Sequence, residues 1–310
     1  MAIANGAQQS LAFIAESTYG TTPATPTMVP FPFTGTTLAI SKDGIESEKL
    51  RGDRQIEDFR HGNKTVGGDI TSELEYGAFD DILEAVTCGS WTTNVLKPGV
   101  TRRSYTLERK FADLATPEWH RYTGCEFNTL ALSVAPNAMI GASWTVVGQD
   151  LSIGTAIISG ATYSADVGNT PFDSFTGEIK QGDKDGTPAT IGTVTSIDLT
   201  IENGLEPLFS VGSQTTSRPS IGKSRVTGSM TTYYDSKALY ERFINETASE
   251  IVLTLTDVAG NDYIINIPNV KYNSGQPDVS GEGPITVSMD FVALYNAADT
   301  TQLLITRTPA

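Results

Sequence analysis

Charge is scarce in this chain. Only 18% of its residues are Asp, Glu, Lys or Arg, and 21 basic residues face 36 acidic ones, a net −15 shared between the two halves. That balance excludes a tight grip on nucleic acid, because affinity for phosphate comes from Lys and Arg displacing counterions. It does not exclude handling DNA without holding it. Histidine is scarcer still: His61 and His120 are the only two, and neither has a second His or a Cys at ligand spacing. Cys88 and Cys125 are too few for a disulfide framework and read as plain buried thiols. No apolar run of about 18 residues is present to cross a bilayer as a helix. The first basic residue is Lys42, so no charged secretory start is read, and the chain is expected to be made and kept in a cytosol.

Reaction chemistry is thin as well. No Gly-rich loop runs into Lys and Ser or Thr. The stretch from Asp183 to Gly186 begins like a calcium loop but lacks the closing Glu, and reads as a hairpin tip. Asp80 and Asp81 are adjacent carboxylates, but they fall on the polar side of a predicted helix, where solvated charge is expected. No catalytic, cofactor or metal site is read, and the chain is not expected to be an enzyme.

What the chain does have is Thr, Ser, Gly and Val in abundance, which suits strands and tight turns. It also repeats itself. GNKTVGGDITSELEYGAFDDILEA (62–85) is shadowed by GKSRVTGSMTTYYDSKALYERFIN (222–245). At this offset of 160, Gly204, Gly212, Gly222 and Gly228 fall on Gly44, Gly52, Gly62 and Gly68. In both copies a period-2 strand (Val66, Gly68, Ile70, Ser72, Leu74; Val226, Gly228, Met230, Thr232, Tyr234) gives way to helical spacing (Phe79, Ile82, Leu83, Val86; Leu239, Phe243). Asp235 or Ser236 is the expected N-cap of the second helix.

Each copy then offers a hairpin, a loose one around Pro117 and a sharper one at Gly260-Asn261-Asp262, and a closing strand. The closing strands align at 145 (Ile140, Ala142, Trp144, Val146, Gly148 against Ile285, Val287, Met289, Phe291, Ala293), as do Phe127-Asn128-Thr129 and Tyr272-Asn273-Ser274. The first copy therefore carries an insertion, placed in the segment after Trp91. The pattern predicts a mainly β chain of two tandem β-sandwich or barrel domains, each with one flanking helix. The expected order is an extended arm over 1–30, a first domain over 31–150, a connecting segment with a hairpin over 151–195, and a second domain over 196–310.

ESTYGTTPATP near the start resembles a known family, as does RGDRQIEDFRHGNKTVGGDITSELEYGAFDDILEAVTCGSW. So do VTSIDLTIENGLEP, VTGSMTTYYDSKALYERFIN and IPNVKYNSGQPDVSGEGPITVSMDFVALY. The family is the major tail tube proteins of long-tailed, non-contractile (siphovirus-type) bacteriophages. The resemblance implies a structural virion protein, assembled in the host cytoplasm into stacked rings that form the tube for genome ejection. It implies as partners further copies of the chain, the tape-measure protein, terminator and initiator proteins, and phage DNA in transit, with no membrane. Family rings hold six single-domain subunits or three two-domain ones, and the repeat selects homotrimers with pseudo-sixfold symmetry. Asp69, Glu73, Glu75, Asp235 and Asp290 are the expected lumen-facing acids; Glu16, Tyr19, Pro23 and Pro26 mark an expected inter-ring arm. The alternative is a tandem β-sandwich adhesion or carbohydrate-binding protein.

Overall fold

The computed structural model describes residues 3–279 and 281–310; residues 1 and 2 of the expected arm lie outside them. The chain is mainly β with two short α-helices, and among the described residues its large sheets do not close into a barrel.

The first half contains β1 (Gln9–Ala15), β2 (Ala39–Glu46), β3 (Phe59–Glu73), α1 (Asp80–Thr87), β4 (Tyr105–Phe111), β5 (Glu118–Val134), β6 (Gly141–Gly148) and β7 (Asp150–Gly154). One layer runs β2, β3, β6 and the end of β5. The other runs from Thr27–Pro30 through β1, β4 and the start of β5 to β7. β5 belongs to both, changing layer where its register slips between Phe127 and Thr129, just after Gly124 at φ +63. Between the layers, Phe31, Phe79, Phe127 and Trp144 stack and meet edge to face, the geometry ring quadrupoles favour. Leu11, Phe13 and Met28 are buried here too. The N-terminal segment, expected as an arm, thus supplies a strand and core residues to the first half.

The second half contains β8 (Glu178–Asp183), β9 (Val194–Glu202), β10 (Arg225–Tyr233), α2 (Ala238–Ile244), β11 (Ser249–Thr256), β12 (Asp262–Tyr272), β13 (Thr286–Ala293) and β14 (Leu304–Thr308). Its pairings follow the same plan. One layer runs β9, β10, β13 and the end of β12; the other runs β8, β11, the start of β12 and β14. Gly68 faces Val146 as Gly228 faces Phe291. Phe127 faces Val146 as Tyr272 faces Phe291, and Leu132 faces Ala142 as Pro277 faces Val287. The first strand departs by one place: Ala39 faces Gly67 whereas Thr200 faces Thr227. An extra residue in the second half, Thr195 at the slip between Val194 and Ser196, accounts for it. The hairpin expected in the connecting segment forms between β8 and Ala189–Thr190. α2 begins after Lys237 with no side-chain cap, so neither Asp235 nor Ser236 caps it.

Two junctions join the halves. In the first layer, β5 pairs with β9 from Thr129 opposite Glu202 to Val134 opposite Ile197, merging both first layers into one eight-stranded sheet. Asn203 secures this seam by donating from its backbone to Asn128 O (2.9 Å) and from Nδ2 to Val86 O (2.7 Å). In the second layer the segment after Trp91 reaches across. Val95–Leu96 pairs with Ile305 and Thr306, and Leu96 is fully buried. Asp80 accepts from the Tyr263 hydroxyl (2.6 Å) and pairs with Arg307, whose guanidinium lies over Trp91. Asp80, expected to be solvated, is a junction residue, and burial pushes the Asp81 carboxyl above its ordinary range, with help from Glu84 and Asp80. Helical periodicity ranks polarity within one helix and carries no information on the neighbour that arrives some 180 residues later.

Candidate functional site

Strand alternation gives the eight-stranded sheet two unlike faces. Towards the core point Val66, Ile70, Trp144, Val146, Leu130, Leu132, Ile197, Leu199, Val226, Met230, Val287 and Met289, all buried. The opposite face carries Thr, Ser, Gly, Ala and carboxylates. One row crosses six strands: Glu73 opposite Gly141, Gly141 opposite Ser133, Ser133 opposite Asp198, Asp198 opposite Ser229, and Ser229 opposite Asp290. A second row begins at Asp69, which faces Thr145 and accepts a 2.7 Å hydrogen bond from its hydroxyl, and ends with Glu202 opposite Arg225. The basic residues Arg225 and Lys271 stand at strand ends, the latter 3.9 Å from Glu246.

Of the five acids singled out from sequence, Asp69, Glu73 and Asp290 share this face and are exposed. Glu75 lies just beyond β3, bridged to Pro171; burial, and then the Asp166 and Glu73 carboxylates, push its carboxyl above the ordinary range. Asp235 is exposed in the turn before α2, off the sheet. Asp198 and Glu202 were not singled out, although the alternation of Ile197, Leu199 and Ile201 already placed them opposite the core. The arm residues are held close. The Glu16 carboxylate accepts from Gly20 N, Ser104 Oγ, Thr106 Oγ1 and Gly124 N at 2.8–2.9 Å. Tyr19 lies beneath Arg218, Pro23 is half-buried and Pro26 is buried.

Chemically the face can repel polyanions and solvate itself. Among the described residues no group of three His, Cys, Asp or Glu is placed to hold a metal. Cys88 and Cys125 are free and buried, and burial pushes both thiols up.

No curated protein matches the chain. A family model described as phage tail tube protein matches residues 6–293. With nearly the whole chain matched, it belongs to the phage tail tube protein family and is a structural, non-enzymatic component of the virion.

Proposed function

We propose that three copies of this chain close into a ring, that rings stack into the tail tube, and that the acidic sheet face lines the channel through which genomic DNA leaves. The observation that carries this reading is the eight-stranded sheet with a free edge at each end. One free edge, β2, corresponds to β9; the other, the end of β12 with Pro277–Asp278, corresponds to the end of β5. Within the chain those counterparts pair with each other. Repeating that junction between chains leaves no edge exposed.

With about 24 strands spaced roughly 4.8 Å apart and tilted about 40°, such a wall has a backbone diameter of roughly 45–50 Å. Side chains reduce the bore but leave room for a duplex. The Ser, Thr and carboxylate lining repels the phosphate backbone, so DNA and the tape-measure protein pass without sticking.

Contact with the next ring falls to the tip of the β2–β3 hairpin, where Leu50, Ile56 and Phe59 are exposed. The Glu16–Pro26 segment, bonded into its own chain, serves as the floor of that contact. Terminator and initiator proteins would cap the same surfaces. Against the carbohydrate-binding alternative, no tryptophan offers a platform among the described residues: Trp119 and Trp144 are buried and Trp91 is covered by Arg307. Light scattering on fractionated chain, with negative-stain images of the same fractions, tests the reading. Rings or tubes of trimeric units support it; a monomer that binds glycans and never assembles refutes it.

A further inference from the structure

Resting on the ring reading above, we infer that the seam between chains is a weakened copy of the seam within the chain, with a fixed register and a helix face that only a second copy of this chain covers. The internal seam supplies the template. Thr129, Leu130, Ala131 and Leu132 face Glu202, Ile201, Thr200 and Leu199. Their counterparts are Ser274, Gly275, Gln276 and Pro277 on one edge and Ser41, Ile40, Ala39 and Leu38 on the other. Core-facing residues meet core-facing ones in this register, and in no register displaced by one place.

Two features weaken the copy. The hydrogen bond from Asn203 N to Asn128 O marks that pair as bonded, so Leu132 and Leu199 are also a bonded pair and Ala131 and Thr200 a non-bonded one. Pro277, standing where Leu132 stands, has no N–H to give across the seam. The second half also lacks the segment that reaches from Trp91 across to β14. The uncovered surface is consistent with a missing neighbour: α1 buries five residues and α2 none. Near the free edge, Ile45 is 57% exposed.

The charges match too. Asn203 donates to the last turn of α1, and its counterpart on the free edge is Lys42. That cation faces the C-terminal carbonyls of α2 and the exposed carboxylate of Glu246, a favourable end of the helix dipole. A second copy is thus the occupant that the surface fits.

The test uses the full chain with Ala39→Cys and Gln276→Cys, a non-bonded pair whose Cα separation suits a disulfide. Ala131→Cys with Thr200→Cys is the internal control, and Ser41→Cys with Gln276→Cys the displaced one. On oxidation of assembled rings, 39/276 is expected to give covalently closed oligomers and 41/276 not. Assembled rings in which 39/276 stays reduced while 131/200 closes would overturn the register and leave the ring reading standing. Failure of every variant and of the parent chain to assemble would overturn both. Independently, Pro277→Leu should lower the concentration for half-association roughly five-fold by restoring one hydrogen bond; unchanged association would overturn the weakened seam.

Discussion

Asp80 binds three parts of the chain through one carboxylate: it accepts from Tyr263, pairs with Arg307 and, through that guanidinium, holds Trp91 in place. Asp80→Ala leaves Arg307 half-buried without its partner, so it should lower stability by about 2–3 kcal/mol in urea unfolding. Glu75 acts in the opposite direction. Its folded-state carboxyl lies above the ordinary 4.5, chiefly through burial. The folded chain therefore binds that proton more readily than the unfolded one. The stability tied to it is full below pH 4.5 and is lost as pH rises through the raised value. Glu75→Gln should raise the urea midpoint at pH 7 and leave it unchanged near pH 4; an equal gain at both would contradict this assignment.

At the scale of the element, the paired glycines mark where strands press together. A Cβ on Gly228 would overlap the Asp198 carbonyl and the Phe291 ring, and one on Gly68, at φ +143, would sit 2.6 Å from Thr37 O. Gly228→Ala should cost roughly 1–3 kcal/mol by thermal or urea unfolding, the usual range for overpacking. These glycines, the alternation beside them and the switch to helical spacing were legible in the sequence, because each is a local pattern with a local cause. Asp69, Glu73 and Asp290 followed from the same alternation. The pairing of β5 with β9 was not legible: an edge of Thr, Leu and Ala names no partner, and the choice is made by the layers each strand already belongs to. The burial of β1 was hidden for a related reason, since SLAFIA acquires its meaning only against β4. The one-residue departure between β2 and β9 arose from a bulge at Thr195, which a gapless alignment cannot represent.

For the whole molecule, the proposed channel gives the acidic row its role. It crosses from Glu73 through Asp198 to Asp290 over both halves, and in the proposed ring it would form a belt of like charge facing the bore. Asp198→Arg should leave folding and tube assembly intact while slowing DNA ejection several-fold at low salt, with recovery as salt screens the new cation. Unchanged ejection at low salt would remove Asp198 from the channel wall. The central claim is that the junction inside the chain is repeated between chains. A cryo-EM reconstruction of the assembled tube tests it most directly. The account predicts three copies per ring, an end view close to sixfold, and a contact between the 38–41 and 274–277 edges that superposes on the β5–β9 seam. Six copies per ring, or a wall in which the Glu73–Asp198–Asp290 face points away from the bore, would contradict it.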